Sequence, residues 1–226
     1  DIGGSIRNPA HFCGIYGHKP TWGIVSDVGH SLPGQLAPAD IAVVGPMARS
    51  AQDLKISMDI SAGAARNDTT GWQLNLPKAS KKSLRDFRVA IWTNDEMAPV
   101  SQEISDRVQL IGDTLSKLGA TVSDSARPGI NLEDSHDTYN SLLWGVMSAG
   151  LTPEQRVENQ AALAQLDPND NSIAANLIRY SVQDHGTWAL NNNKRFLIRQ
   201  QWQSFFNDWD IVICPQTATT AFPQDE

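Results

Sequence analysis

The stretch Asp1-Ile2-Gly3-Gly4-Ser5-Ile6-Arg7-Asn8-Pro9-Ala10, continued by Phe12-Cys13-Gly14 and Gly17-His18-Lys19-Pro20-Thr21, decides how this chain is read. Gly3 and Gly4 carry no Cβ, so the backbone there can turn tightly and come close to a ligand. Successive N–H groups in such a loop can point into one concavity and bind an anion. Ser5 then places a hydroxyl beside those donors. That pairing suits acyl transfer, in which a nucleophile sits next to a cradle for the oxyanion its attack creates. A Gly-Gly-Ser tripeptide on its own is an ordinary turn; the longer string carries the weight.

That string, D-I-G-G-S-I-R-x-P-A-x-F-C-G-x-x-G-x-K-P-T, resembles the core of the amidase signature family. The resemblance continues through Gly45-Pro46-Met47-Ala48-Arg49-Ser50-Ala51-Gln52-Asp53-Leu54, which is similar to the family's second block, and returns weakly at Asp210-Ile211-Val212-Ile213-Cys214-Pro215. Between residues 65 and 205 only the order of elements is compatible. The family works with a serine nucleophile, a bridging serine and a lysine. By resemblance, Ser5 matches the nucleophile, the backbone amides of Ile2, Gly3, Gly4 and Ser5 match the oxyanion hole, and Asp1 and Arg7 match positions that brace the loop. In the family the lysine and the bridging serine lie upstream, the latter in a Gly-Gly-Ser-Ser-Gly-Gly type stretch, and the chain continues past the position of Pro215. The 226 residues therefore read as a central part of a longer enzyme, incomplete at both ends.

The resemblance implies an α/β fold, a mixed twisted sheet flanked by helices, of which residues 1–226 form one partial domain. Residues 1–63 supply the motif core, 64–131 a βαβ unit, 132–208 a helical substrate-side region and 209–226 a strand and tail. It implies hydrolysis of a carboxylic amide through an acyl-Ser5 ester, with no metal and no cofactor. The partners expected are a small-molecule amide and at most a second copy of the chain, in the cytoplasm. Two other readings stay open: a glutaminase like the A-subunit of glutamyl-tRNA amidotransferase, and a fragment that binds or assembles without catalysis. Many such A-subunits carry Ser-Leu-Asp before Gly-Pro; this chain has Ala39-Asp40-Ile41-Ala42-Val43-Val44, which leans toward a stand-alone amidase. Lys19 matches the family's structural Lys-Pro-Thr and precedes a proline, so it is read as extended and structural rather than as the base. Arg7 has two readings, a clamp for a substrate carboxylate or a planar fork tying Asp1 and the loop in place; the second fits the family. Tyr139 and Trp144 are candidate wall residues of the substrate site, with a core role as the alternative.

Composition bounds the rest. The chain is 40% hydrophobic and 19% charged, an ordinary globular mixture, with net charge −7. Without a Lys/Arg-rich run, a nucleic-acid face is not expected. No apolar run approaches the ~20 residues that span a bilayer. Cys13 and Cys214 stand far apart, with no Cys-x-x-Cys spacing, and read as buried free thiols rather than as zinc ligands or a disulfide scaffold. There is no Gly-x-Ser-x-Gly elbow, because Arg7 stands where the second glycine belongs. Dinucleotide and phosphate-loop motifs are also absent. Asp95-Glu96 and Glu133-Asp134 read as caps or solvated faces.

Local patterns place the elements. Asn8 and Pro9 predict a short helix over 8–14, capped by Asn8 and ended by Gly14. Gly23, Gly29, Pro33, Gly34 and Pro38 make 22–45 irregular, with a short strand. Ser50 and Asp53 predict a helix start, running to Ala62 and Gly63. Arg88–Thr93 reads as a buried strand. Ser101 should cap a helix whose stripe is Ile104, Val108, Ile111, Leu115 and Leu118, ended by Gly119. Ala120–Ser125 closes a βαβ unit with parallel pairing. Helices are expected over 132–149, 153–166, 172–183 and 187–207, the last with Trp188, Phe196, Trp202, Phe205 and Phe206 as core. Ile211–Cys214 is the final strand.

Overall fold

The computed structural model describes residues 1–30, 37–66 and 68–224, which leaves Pro33 and Gly34 of the punctuated loop outside the described residues. The chain forms two compact units. The first comprises residues 1–38, 42–127 and 205–226, and the second residues 39–41 and 128–204.

In the first unit, α1 (Arg7–Cys13) is a two-turn helix closed by Gly14 in the left-handed conformation, φ 63°. It starts one residue earlier than predicted, and Asn8 does not cap it. Instead Asp1 accepts from the amides of Ile6 and Arg7 at 3.2 and 3.3 Å, doing from six residues away what the sequence assigns to Asn8. Strands β1 (Tyr16–Gly17) and β2 (Met47–Ala48) pair antiparallel, which brings the two motif blocks together. Their junction has no spare room. A Cβ on Gly45 would lie 2.2 Å from the His18 carbonyl oxygen and 3.0 Å from Ile6 Cδ1. Helix α2 (Ala51–Ser61) begins where expected, with Ser50 Oγ accepting from the Asp53 amide at 3.0 Å.

The sheet of this unit is parallel, ordered β4–β3–β5, with β3 (Arg88–Ile91) in the centre, β4 (Thr121–Ser123) on one side and β5 (Ile211–Ile213) on the other. Helix α3 (Gln102–Lys117) crosses from β3 to β4. Val89, Ile91, Val108 and Ala120 form the core, with Phe87, Leu115, Val122 and Ile213 against it. The stripe on α3 is rotated from the predicted one, for Ile111 and Leu118 are about half-exposed while Gly112 is buried. The reason is Ile91, whose side chain lies where a Cβ on Gly112 would stand, at 2.9 Å. The sheet presses on the helix along 108, 112 and 115. Ser101 also departs from expectation. Its amide donates to Ala218 O at 2.7 Å, but its hydroxyl makes no cap bond and is buried without a partner among the described residues. Both cysteines are exposed, contrary to the buried reading. Cys13 sits in the last turn of a helix that buries only Ala10, and Cys214 lies just beyond an edge strand.

The second unit is helical: α4 (Leu132–Met147), α5 (Pro153–Gln165), α6 (Ile173–Ser181) and the greater part of α7 (His185–Asp208). Asn131, Thr152 and Ser172 cap the first three. Its centre mixes Leu142 and Ala175 with a closed polar cluster. There Asn191 Nδ2 donates to Ser141 Oγ at 2.7 Å, Ser141 Oγ donates to Gln183 Oε1 at 2.9 Å, and Gln183 returns a bond to the Ser141 carbonyl at 2.6 Å. The aromatic load of α7 is only partly core: Phe205 is buried, whereas Phe196 and Phe206 are about half-exposed. The apolar residues of this long helix are spread around its circumference rather than aligned on one face.

Asp210, just before β5, receives Arg88 Nη2 on Oδ1 at 3.1 Å and the Arg88 amide on Oδ2 at 2.8 Å, together with the Lys81 ammonium. The bonds from Arg88, then from Lys81, hold its carboxyl well below the usual carboxylate range. A depressed folded value means that the stabilisation is complete above the ordinary pKa near ~4 and is lost as pH falls toward the lower folded value. In urea unfolding, Asp210→Asn should therefore be less stable than the wild type at pH 7, with the gap narrowing at pH 3.

Candidate active site

The loop Asp1–Arg7 is built around one carboxylate. The Asp1 side chain is fully withdrawn from solvent. Its Oδ1 accepts from the Gly4 amide at 2.9 Å and from Arg7 Nη2 at 3.0 Å. Its Oδ2 accepts from the amides of Ile6 and Arg7 and from Arg7 Nε at 3.1 Å. The planar fork of Arg7 matches the two oxygens, as bidentate guanidinium–carboxylate pairs do. The Asp1 main chain is tied as well: the Val43 amide donates to its carbonyl at 3.0 Å, and its own nitrogen donates back to Val43 O.

Gly4 adopts φ +134°, a conformation that L-residues with a Cβ rarely enter, and so lets the chain reverse before Ser5. Ser5 is exposed, while Ile6 next to it is buried. Ile6 and Ala10 pack on Gly17, where an added Cβ would meet them at 2.9 and 3.0 Å. The loop is thus anchored by an apolar side chain on one side of the serine, while the serine itself stays exposed.

The four amides named from the sequence do not behave alike. Gly4 N–H is engaged by Asp1 and belongs to the brace. Those of Gly3 and Ser5, like the Ser5 hydroxyl, have no hydrogen-bond partner among the described residues. Gly3, Gly4 and Ser5 line an open depression of about 420 Å³, together with Arg7, Asn8 and Pro9 from α1 and with Gln216 and Thr217 from beyond β5. Sequence reasoning does not find Gln216 and Thr217, which lie more than two hundred positions from Ser5; the only local signal is Pro215 ending a strand.

Lys19 is not among the residues lining this depression. Its pKa is lowered from the ordinary lysine value, first by partial burial of the ammonium and then by the Arg7 charge, although the residue as a whole is exposed. Tyr139 and Trp144 both lie on α4 in the second unit. Trp144 lines an apolar cavity of about 200 Å³ with Met147, Leu151, Leu177 and Ile178, where the Asn159–Ser181 hydrogen bond of 3.1 Å supplies the polar part of the wall. Tyr139 is about one-third exposed and does not line that cavity. Among the described residues no group of three or more His, Cys, Asp or Glu is gathered as a metal site would require, and no helix is long and apolar enough to cross a membrane.

Ser5 thus stands on a glycine turn beside two amides that have no partner among the described residues, with a carboxylate–guanidinium brace behind, and a hydroxyl next to such donors is a pairing that suits acyl transfer. The chain belongs to the Amidase family, whose model matches residues 1–226. It is 31% identical over 245 residues to the A-subunit of glutamyl-tRNA(Gln) amidotransferase from Macrococcus caseolyticus, covering 98% of this chain and 49% of that protein. Among solved structures it is similar to the corresponding A-subunit from Thermotoga maritima (TM-score 0.69, 22% identity, 99% of this chain and 47% of that one). It is also similar to a bacterial aryl acylamidase of the amidase signature family (TM-score 0.68, 20% identity, 100% and 46%). The chain spans about half the length of the curated relatives it matches. These likenesses carry the α/β fold expected from the motif.

If Asp1 is what holds the loop, its loss should be felt by named amides. In Asp1→Ala, hydrogen exchange at Gly4, Ile6 and Arg7 should accelerate markedly while β3 stays protected. Asp1→Asn, which keeps one acceptor oxygen, should fall between.

Proposed function

We propose that this chain carries the nucleophile and oxyanion cradle of an amide hydrolase. The single observation that supports it best is the Ser5 hydroxyl, exposed and unpartnered among the described residues, beside the unpartnered amides of Gly3 and Ser5 on a loop fixed by Asp1 and Arg7. Ser5 Oγ attacks the amide carbonyl, and its proton passes to a base outside residues 1–226, by family resemblance a lysine acting through a bridging serine. The carbonyl oxygen, now negative, is held by the Gly3 and Ser5 amides. Collapse expels the amine or ammonia, which takes up a proton, and leaves an acyl-Ser5 ester. Water attacks that ester, releasing the acid and restoring the hydroxyl. Such preorganised donors matter because they need no rearrangement as charge develops; losing one typically costs on the order of 10²–10³ in kcat. Arg7 is a positioning residue here, since its Nε and Nη2 both donate to Asp1.

The relatives' names favour one specific second reading, a glutaminase working as the A-subunit of an amidotransferase. In that case ammonia release from glutamine would depend on partner proteins, whereas a stand-alone amidase would hydrolyse simple amides unaided. Ser5→Ala in the full chain should abolish amide hydrolysis, measured as ammonia or amine released, with the folded state retained by circular dichroism. Hydrolysis within about tenfold of the wild type would rule out Ser5 as the nucleophile, since loss of a nucleophile costs far more than that.

A further inference from the structure

The segment beyond β5 comes to the serine for a structural reason. Strand β5 runs parallel to β3, and the ladder continues past its end, with the Trp92 amide donating to Ile213 O at 2.9 Å. A few residues later the Ser101 amide fixes Ala218 O at 2.7 Å. Cys214–Thr217 is therefore pinned at both ends, as a short span over the carboxyl ends of two parallel strands. In open α/β sheets that is where ligands bind.

Gln216 and Thr217, held on this span, line the same depression as Gly3, Gly4 and Ser5. Among the described residues neither side chain has a hydrogen-bond partner, and the Asn8 side chain on the α1 side has none either. Besides Ser5, the depression is thus walled by two carboxamides and a hydroxyl, each able to donate and to accept. It holds no carboxylate, and its one cation among the described residues, Arg7, is closed on Asp1. Such a wall carries one charge, already paired, and little apolar surface to pack a long alkyl chain. What it can do is exchange hydrogen bonds with a neutral polar group.

We infer that Gln216 is a specificity-determining residue: with Thr217 opposite the Ser5 loop, it selects small amides whose acyl group carries a neutral hydrogen-bonding substituent, such as a hydroxyl or second carboxamide. This rests on the amide-hydrolysis reading and names its substrate class. Sites that hydrogen-bond a substrate group discriminate against the analogue lacking it, because their own polar groups are then left unpaired.

The test pairs 4-hydroxybutanamide with its isostere pentanamide in the full chain. The wild type should prefer the hydroxy-amide in kcat/KM, and Gln216→Leu should cut that preference about tenfold, through KM rather than kcat, on the scale of one lost hydrogen bond. Gln216→Asn should restore part of it. A preference unchanged within about twofold in Gln216→Leu, or an equal loss for both amides, would overturn the assignment, being smaller than one hydrogen bond supplies. Dissociation constants for the two amides need no turnover. They can be measured by calorimetry on Ser5→Ala, once with Gln216 in place and once with Gln216→Leu added. Absence of hydrolysis with the Gln216-dependent binding preference intact would count against the amidase reading alone, and a binding preference that Gln216→Leu leaves unchanged would count against this one.

Discussion

The Asp1 carboxylate is the constraint on which the front of the molecule depends. It is withdrawn from solvent, and it accepts from three backbone amides and from both arms of Arg7. A buried carboxylate is tolerable only when its lone pairs are engaged, and here five donors engage them. The same bonds fix Gly4, start α1 and aim the Arg7 fork inward. Because Gly4 is spent on the brace, the outward-facing polarity of the loop falls to Gly3 and Ser5. One side chain thereby separates the amides that hold the loop from those that can hold a ligand.

A second constraint is steric. Ile6 follows the serine and is buried, and the positions that receive it are glycines: Gly17 from the first motif block and Gly45 from the second. The β1–β2 pairing sets those blocks side by side, with the His18 amide donating to Pro46 O at 3.0 Å. The motif thus acts as a packing unit as well as a chemical one. Its glycines let two backbones and one isoleucine meet without a gap, and rigidity at that junction holds the serine still.

What the sequence makes legible follows interaction range. The βαβ unit, the cap at Ser50 and the four helices of the second unit are set by neighbours within a few residues, and they lie within about one to three positions of where periodicity and capping place them. Ser5 and its loop are legible only through the longer string from Asp1 to Thr21, since a Gly-Gly-Ser turn alone is ordinary. The rotation of α3 is hidden, since it depends on Ile91 seating against Gly112, a contact that periodicity does not report. The cap of α1 is hidden too: Asn8 is the locally obvious residue, and Asp1 takes its place through a turn that only Gly4 allows. Gln216 and Thr217 are the extreme case, placed beside Ser5 by strand pairing across the length of the chain.

The central claim is that residues 1–7 form a working nucleophile site. Peptide mapping of the full chain after reaction with a serine-directed fluorophosphonate tests it most directly, because the reagent mimics the tetrahedral intermediate and needs both an activated hydroxyl and an oxyanion cradle. A single stoichiometric adduct on Ser5 is the predicted result. An adduct on any other residue, or an unmodified Ser5 at saturating reagent, would contradict it.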